Sequence, residues 1–187
     1  MLVVITILTG VLYPLVVTGI AHVAFSSRAN GSMVTSSGRV VGSSLIGQNF
    51  ADAKGNPLPT YFQPRPSAAG QNGYDATASG GSNLGPSNPK LLSSVADRVA
   101  AYRTFNGLAP GVAVPIDAVT ASASGLDPAI SLANALDQAP RVARARGLTV
   151  DRVVALVKSH IQNRAWGFLG ENTVNVLLLN LALDRMS

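Results

Sequence analysis

The chain has 187 residues, of which 47% are hydrophobic and only 12% are charged, with a formal net charge of +5 and no cysteine. The length suits one small domain plus a further segment, and the lack of cysteine excludes disulfides, thiol catalysis and cysteine metal sites. The sequence shows no Walker-type phosphate loop, no GxSxG motif and no nucleic-acid recognition module, and its aromatic content is 5%. Nucleotide hydrolysis by a known loop and nucleic-acid binding are therefore not expected.

The amino-terminal segment is apolar and uncharged. Residues 1–27 contain no Asp, Glu, Lys or Arg, and Leu2–Phe25 is almost wholly apolar. A helix of this length covers roughly 36 Å, enough to cross a hydrocarbon core of about 30 Å. We therefore predict a transmembrane anchor over residues 1–27 and a globular domain over residues 28–187. A cleaved signal peptide is the alternative, although it would have a shorter apolar region and a basic flank.

Some residues of the anchor predict packing against other helices. Gly10, Thr18 and Gly19 are small and allow a neighbouring helix to approach closely. Pro14 should kink the helix, and the carbonyl that it frees needs a neighbouring helix, a Thr hydroxyl or water. We predict contact with partner helices at Gly10, Pro14, Thr18 and Gly19. Charge does not set the orientation of the anchor, because Arg28 is the only basic residue near either end.

The middle of the chain predicts loops, short strands and one clear helix. Residues 30–90 are rich in glycine and proline, which is typical of irregular chain with a few short strands, such as Val40–Ile46. Asn88-Pro89 combines a capping side chain with proline at the first helical position, so a helix should begin there. Asn106-Gly107 should end it. The alternation of Val112, Val114 and Ile116 predicts a strand.

The last third of the chain predicts helices. Asp127-Pro128 again combines a capping side chain with a following proline, so a second helix should begin there. Pro140 should break or restart that helix. Thr149 should cap the next helix, whose apolar residues recur at helical spacing. The final run, Val174–Leu183, fits a helix, with a buried strand as the alternative. The order of strand, helix, strand and then helices predicts the α+β class, with one transmembrane helix followed by a small mixed domain.

A basic stretch lies between Gln138 and Trp166. It holds six basic residues against Asp151 alone: Arg141, Arg144, Arg146, Arg152, Lys158 and Arg164. Such a stretch is typical of a solvated helix face, or of a surface that meets an acidic partner, a phosphate or an anionic lipid.

No motif predicts catalysis with any specificity, and no group of metal ligands is apparent. Ser87 and Lys90 match SxxK spacing, so a membrane-anchored extracytoplasmic serine hydrolase is one alternative, although a helix start explains both residues. The Gly-Ser turns Ser79–Ser82 and Ser122–Gly125 could hold an anion with backbone N–H groups, so an anion-binding module is another.

Several unusual strings occur along the chain. They are TGVLYPLVVT (Thr9–Thr18), YFQPRPSA (Tyr61–Ala68), SGGSNLGPSNP (Ser79–Pro89), VPIDAVTASASGLDPAIS (Val114–Ser131), APRVARARG (Ala139–Gly147) and GFLGENTVNVLLLNLALD (Gly167–Asp184). With these strings, in this order and over almost the whole chain, the sequence resembles the KdpC family, which belongs to the Kdp potassium-transporting ATPase of bacteria and archaea.

The resemblance implies an accessory, non-catalytic subunit of a high-affinity, ATP-driven potassium uptake complex. Its implied partners in the Kdp complex are a potassium-channel-like subunit, a P-type ATPase subunit that hydrolyses ATP, a further small subunit and membrane lipid. The family is described as a catalytic chaperone that raises the ATP affinity of the P-type ATPase subunit. No cofactor is expected to bind stably, and ATP would be reached through that P-type ATPase subunit.

The resemblance also implies a single-pass protein of the cell membrane with an extracytoplasmic domain. Such a domain could not touch cytoplasmic ATP directly, which favours a role in stabilising the assembly or covering the entrance for potassium. The family's basic arm before the span is absent here. Ala129 replaces a family histidine, and Asn172-Thr173 stands where Pro-Arg is common, so roles for those family residues do not carry over.

The resemblance assigns roles to individual residues. A glutamine just before the RVA string is proposed to contact nucleotide, and here that residue is Gln138; the alternative is a surface residue at a helix end. We expect the loop Ser79–Pro89 and its neighbourhood to face partners. The residues predicted for that role are Ser82, Asn83, Gly85, Pro86 and Asp127.

Overall fold

The computed structural model describes residues 1–186, and these form two compact units that divide between Leu45 and Ile46. Both units combine helices with antiparallel strands, and the second contains a mixed sheet and helix core, so the α+β class is confirmed. The sequence predicted that the anchor ends and the globular domain begins after residue 27. The division of the backbone into two units lies elsewhere, and it does not test that boundary, which stays a prediction.

The first unit begins with a continuous helix over Leu2–Ala24, long and apolar enough to cross a membrane, and none of it is buried inside this chain. It consists of α1 (Leu2–Ile7), a π-helical turn (Leu8–Leu12) and α2 (Tyr13–Ala24). The π turn ends at Leu12, two residues before Pro14. Since proline lacks the N–H that an α-helix needs, a local change of helical pitch is an expected way to accommodate it.

After the short helix α3 (Ser26–Ala29), the first unit ends with a β-hairpin. Strands β1 (Met33–Ser36) and β2 (Arg39–Ser43) pair antiparallel. The hairpin turns at Ser37-Gly38, where both residues have positive φ, as in the type I′ turns that suit twisted strands. The predicted strand over Val40–Ile46 is therefore right at its start and extends too far at its end.

The second unit opens with a long irregular segment that contains a 3₁₀ turn (Ala76–Ala78). The remaining elements follow in chain order: α4 (Pro89–Asn106), α5 (Ile116–Val119), β3 (Ala129–Ser131), α6 (Leu132–Arg146), α7 (Val150–Ser159), β4 (Ile161–Gln162), β5 (Thr173–Asn175) and α8 (Val176–Asp184). The sheet is antiparallel in the order β3-β5-β4.

The core of the second unit lies where α6, α7 and α8 pack together. Its buried members are apolar: Phe62, Ile130, Ala135, Ala139, Val142, Ala143, Val153, Val157, Val174, Val176, Leu179 and Leu183. Phe62 comes from the irregular segment and is held in place through its backbone. Its N–H donates to Asn180 Oδ1 and its carbonyl accepts from Asn180 Nδ2, each at 2.9 Å. The irregular segment therefore forms part of the core and is not a surface loop throughout.

The predicted start and end of α4 and the predicted start of α7 are confirmed. Helix α4 begins after Asn88, whose Oδ1 accepts from the Lys90 N–H at 2.9 Å. It ends at Gly107, which has the left-handed conformation that favours glycine. Helix α7 begins directly after Thr149, although the Thr149 side chain makes no capping hydrogen bond.

Two predicted element types in the second unit are wrong. The segment with Val112, Val114 and Ile116 is not a strand, because Pro115 ends the extended chain and α5 starts at Ile116. Asp127-Pro128 does not start a helix. The next three residues pair with β5 instead, and α6 starts only after Ser131, whose hydroxyl accepts from the Asn134 N–H at 3.1 Å.

Helix α6 runs through Pro140 without a break, which contradicts the predicted interruption. Its neighbours Ala139 and Val142 are fully buried, so burial of this face compensates for the hydrogen bond that proline cannot make. The last apolar run, Val174–Leu183, was predicted as a helix or a buried strand, and the structure contains both. Val174 lies in β5, and α8 begins at Val176 with Asn175 Oδ1 accepting from the Leu178 N–H at 3.1 Å.

Candidate functional site: a buried polar network beside an open pocket

One face of α6 carries polar side chains into the interior. Asn134, Gln138 and Arg141 are spaced so that they lie along the same side of the helix. All three are buried, with at most 5% of each residue exposed. They face α4 and the irregular segment around Tyr61, where other polar groups complete their hydrogen bonds. The sequence did not predict this network, because nothing in the local pattern separates a buried polar face from a solvated one.

Gln138 uses every hydrogen-bonding position of its amide within the protein. Its Oε1 accepts from the Gln63 N–H at 2.7 Å and from Arg141 Nη2 at 2.8 Å. Its Nε2 donates to the Gln63 carbonyl at 3.1 Å and to Asn134 Oδ1 at 2.8 Å. Gln138 thus joins α6 to the irregular segment, because its amide bonds both the backbone N–H and the backbone carbonyl of Gln63.

This position contradicts one expectation for Gln138. The residue lies in the middle of α6 and is only 1% exposed, so the interpretation as a surface residue at a helix end is wrong. The contact with nucleotide stays a prediction. For such a contact, the amide would have to exchange a bond to Gln63, Asn134 or Arg141 for one to the ligand, and a buried group left without its partner costs about 1–3 kcal/mol.

Arg141 is a buried cation whose hydrogen-bond partners within residues 1–186 are neutral. Its Nε donates to Asn106 Oδ1 at 2.9 Å, and its Nη1 donates to the carbonyls of Pro59 and Tyr61. The guanidinium also lies 4.3 Å from the centre of the Phe105 ring, within the range of a cation–π contact. Burial lowers the pKa of Arg141 to about 10. The prediction of a solvated helix face is therefore wrong for this residue.

The network continues to α5 and β3 through Asp117. The Asp117 carboxylate accepts from the Ser131 N–H and hydroxyl, both at 2.8 Å, and from Asn134 Nδ2 at 3.0 Å. The Tyr102 hydroxyl of α4 donates to Asn134 Oδ1 at 2.9 Å. Burial, with smaller contributions from Asp137 and Asp117, raises the pKa of Tyr102 above its usual value. One set of hydrogen bonds thereby holds α4, α5, β3 and α6 together.

An open pocket of about 880 Å³ lies against this network. Its wall includes Gln63 and Tyr102 and three basic residues, Lys54, Arg65 and Arg98, whereas Asp52 is the one acidic residue among the described residues that line it. The wall combines apolar and polar groups with an excess of basic residues, so it suits a ligand that carries an anionic group. Among residues 1–186 no group of three or more potential metal-binding side chains occurs.

The Gly-Ser loops of the sequence lie against each other. The Gly80 N–H and the Ser79 hydroxyl both donate to the Ser124 carbonyl, at 2.9 and 3.0 Å. Gly125 has a φ of +68°, and a Cβ at this position would lie 2.7 Å from the Gly80 carbonyl oxygen. The loops approach so closely that only glycine fits here. Since the Gly80 and Gly125 N–H groups donate within the loops, neither is free to hold an anion.

The residues predicted to face partners lie around these packed loops. Ser82, Asn83, Gly85 and Pro86 are exposed. Asp127 is half-buried and pairs with Arg65, whose Nη1 lies 3.1 Å from Asp127 Oδ2. The structure therefore brings the predicted loop residues and the chain around Asp127 into one region, while their contact with a partner stays a prediction.

The other candidate residues are separate from the network. Within residues 1–186, the Ser87 hydroxyl and the Lys90 ammonium share no hydrogen bond, so the structure gives no support to a Ser-Lys hydrolase. A Cβ added at Gly10 or at Gly19 would meet nothing within 4 Å. These two positions are open on the helix surface, as a close helix contact requires.

Comparison with known proteins places this arrangement in a class of membrane transport subunits. The family model for the c chain of the K⁺-transporting ATPase, KdpC, matches residues 1–185. The chain belongs to this family, and the resemblance found in its sequence is confirmed. It is accordingly an accessory subunit of a potassium uptake complex, with one candidate transmembrane helix among residues 1–186.

Individual relatives agree with this assignment, and each is named potassium-transporting ATPase KdpC subunit. The relative from Mycobacterium tuberculosis (strain ATCC 25618 / H37Rv) is 56% identical over 186 residues, which cover 100% of this chain and 95% of the relative. The relative from Variovorax paradoxus (strain S110) is 58% identical over 179 residues, or 95% of this chain and 88% of the relative. The relative from Caulobacter vibrioides (strain NA1000 / CB15N) is 54% identical over 180 residues, or 96% of this chain and 86% of the relative.

Proposed function

We propose that this chain is a single-pass membrane protein that stabilises the assembled potassium-transporting ATPase beside a channel-like subunit, a P-type ATPase subunit and a further small subunit. The observation that carries the proposal is the family match over residues 1–185 in a chain whose apolar helix Leu2–Ala24 finds no burial of its own. Such a helix is stabilised by lipid and by partner helices. ATP hydrolysis is assigned to the P-type ATPase subunit.

The catalytic-chaperone role acts, in this proposal, through assembly. Direct contact with nucleotide would have to use Gln138, whose four amide hydrogen bonds are all made within the chain. A protein that holds its partners in their active arrangement would raise the ATP affinity of the P-type ATPase subunit without touching ATP, since binding to one state shifts the population toward it. No cofactor is held by this chain itself, and the globular domain is extracytoplasmic.

The assembly role is tested by co-production with the other subunits. In cells that lack this chain and grow on limiting potassium, the full chain should restore growth and co-purify with the channel-like and P-type ATPase subunits, whereas a chain that begins after residue 24 should do neither. Restored growth without any co-purification would contradict the proposal, because the chain would then act without assembling.

The side of the membrane is tested by labelling. The chain has no native cysteine, so Ala155→Cys, at an exposed position of α7, provides a single reactive thiol. A membrane-impermeant reagent should label it in intact cells as fully as in permeabilised cells. Labelling only after permeabilisation would place the domain in the cytoplasm and reopen direct contact with ATP.

A further inference from the structure

The open pocket beside the polar network is large enough for an organic ligand. Its volume of about 880 Å³ is within the range of small-molecule sites in proteins. Three parts of the second unit form most of its wall, within residues 49–57, within residues 63–73 and along α4 from Arg98 to Asn106. Asn134 and Gln138 of α6 add buried amides. A single inorganic ion would fill only a small part of this space.

The basic residues of the wall keep donors that have no partner within residues 1–186. The Lys54 ammonium makes neither a hydrogen bond nor an ion pair there, and Arg98 uses only Nη1, which donates to the Val119 carbonyl at 3.0 Å. Arg65 pairs with Asp127 through Nη1, but its Nε is buried without a partner. Lys54 and Arg98 can therefore donate to a ligand without breaking a bond, and Asp127 satisfies the Arg65 guanidinium only in part.

The carboxylates associated with this wall already have donors of their own. Asp52 accepts three hydrogen bonds from Lys54 and Asn56, the backbone N–H of Lys54 at 2.8 Å and the backbone N–H and side-chain amide of Asn56 at 2.9 and 3.0 Å. Asp127 accepts from Arg65 and from a backbone N–H at 3.0 Å. The pocket thus has more donors than its own acceptors satisfy, which favours a ligand rich in acceptors.

A buried cation lies directly behind the wall. Arg141 donates to Gln138 Oε1 at 2.8 Å and to Asn106 Oδ1 at 2.9 Å, and both of these acceptor residues line the pocket. Within residues 1–186 Arg141 has no carboxylate partner, and a buried charge without a counter-ion is unfavourable. Asp117 lies behind Asn134 and opposes this field only in part, because its carboxylate accepts three hydrogen bonds. An anion in the pocket would be stabilised by Arg141 as well as by the basic wall.

We propose that this pocket binds a small organic phosphate, with the phosphate group at Lys54 and Arg98 and the organic part against the rest of the wall. A phosphate monoester carries about −1.5 to −2 charges near pH 7 and three strong acceptor oxygens, and Lys and Arg are the side chains that usually bind it. The rest of the wall offers amides such as Asn72 and apolar surface such as Pro64. The site goes beyond the proposed function, which does not depend on it.

This site differs from the nucleotide contact predicted for Gln138. The organic phosphate uses donors that the protein leaves without partners, so no hydrogen bond of the Gln138 amide has to break. If the domain is extracytoplasmic, as proposed above, cytoplasmic ATP does not reach the pocket. The phosphate then belongs to an anionic lipid headgroup or to a free phosphate ester, and these two sources share the chemistry that the pocket recognises.

Glycerol 3-phosphate is the probe that tests the site. Isothermal titration calorimetry of the full chain in the neutral detergent dodecyl maltoside should show saturable binding with a Kd below about 1 mM. Added salt should weaken the binding, because the contact is electrostatic. Glycerol, which lacks the phosphate, should give no binding. Absence of binding by glycerol 3-phosphate, or equal binding of glycerol, would overturn the inference.

A pair of lysine substitutions assigns the binding to this pocket. Lys54→Ala should weaken binding of glycerol 3-phosphate about tenfold, as expected for loss of one charge-assisted contact. The Lys54 side chain is exposed and makes no contact that the fold needs. Lys90→Ala removes the same charge from an exposed residue that does not line the pocket and should change the Kd less than about twofold. Equal effects of both substitutions would overturn the inference.

Inorganic phosphate tests whether the ligand is organic. It should bind at least about fivefold more weakly than glycerol 3-phosphate, because it makes no contact with the rest of the wall. Equal affinities would mean an adventitious ion only and would overturn the inference.

The two sources of the phosphate are separated in nanodiscs that carry the full chain. The Kd of glycerol 3-phosphate is measured in phosphatidylcholine alone and with added phosphatidylglycerol, at a salt concentration that screens the surface charge of the lipid. A Kd raised at least about tenfold by phosphatidylglycerol would assign the site to the lipid headgroup, and an unchanged Kd would assign it to a free ester. Either result supports the inference, whereas failure of the chain to co-purify with its partners would affect the proposed function alone.

Discussion

The large apolar residues of the two compact units have opposite surroundings. In the first unit, Leu15 is 65% exposed and Val23 is 89% exposed, whereas in the second unit Phe62, Val142 and Leu179 are fully buried. The same class of side chain therefore drives folding of the second unit, whereas in the first unit it is free for the proposed contacts with lipid and partner helices. Substitutions should accordingly distinguish folding from association. Changes in the second unit should lower its free energy of unfolding, and changes in the first unit should alter assembly with partner subunits.

Phe62→Ala should give the largest loss of stability. The ring is 0% exposed in the core, so its removal should lower the free energy of unfolding of the second unit by about 3–5 kcal/mol. Denaturation of the full chain in detergent, followed by circular dichroism, would measure it. Leu15→Ala in α2 is the control and should leave this value unchanged. An equal effect of both substitutions would remove the distinction between the units.

Gln138→Leu should lower the free energy of unfolding by about 2–4 kcal/mol, because the Gln63 N–H and Arg141 Nη2 would lose a buried partner. Gln71→Leu, at an exposed loop position, is the control and should change it by less than about 0.5 kcal/mol. The ATP concentration for half-maximal hydrolysis by the assembled complex should be measured with both. A higher ATP requirement with unchanged stability would favour direct contact between Gln138 and nucleotide.

Gly125→Ala should destabilise the second unit more than Gly107→Ala does. Both glycines have a φ near +68°, but a Cβ at Gly125 would lie 2.7 Å from the Gly80 carbonyl oxygen, whereas a Cβ at Gly107 would meet nothing within 4 Å. The Gly107 variant should lose about 1 kcal/mol from backbone strain alone. The Gly125 variant should lose about 1–3 kcal/mol more from overpacking. Equal losses would show that the loops can separate at little cost.

Gly10→Leu combined with Gly19→Leu should leave the unfolding of the second unit unchanged and weaken assembly with the channel-like and P-type ATPase subunits about tenfold. Both positions are open in the isolated chain, so the added side chains can clash only with a partner helix. Val11→Leu combined with Val17→Leu is the control, since it enlarges side chains that are already large. Co-purification in detergent that is the same for both pairs would contradict a close helix contact at the glycines.

Much of the local structure could be predicted from the sequence. The start of α4 at Asn88 and its end at Gly107 follow from side chains that interact with the adjacent backbone. The spanning length of the amino-terminal helix follows from composition alone. In each case the deciding interaction joins residues that are close in sequence, so the pattern contains the information.

The failures share a different cause. Ala129 and its neighbours form a strand because Asn175 and its neighbours, far along the chain, pair with them. Pro140 stays inside α6 because that face of the helix is buried by other elements. The family resemblance singled out Gln138 for a contact with nucleotide, which stays a prediction, but it gave no sign that Gln63 and Arg141 occupy the Gln138 amide.

The sequence by itself determined that this chain has an uncharged helix long enough to span a bilayer, a separate α+β domain and membership of a family of potassium-transport subunits. Those properties depend on composition, short-range capping and characteristic strings. Only the tertiary structure decided that Gln138 and Arg141 are buried and that Trp166 is exposed at the turn of a hairpin. Burial of a polar or apolar side chain depends on which distant elements pack over it, and that is set by the fold as a whole.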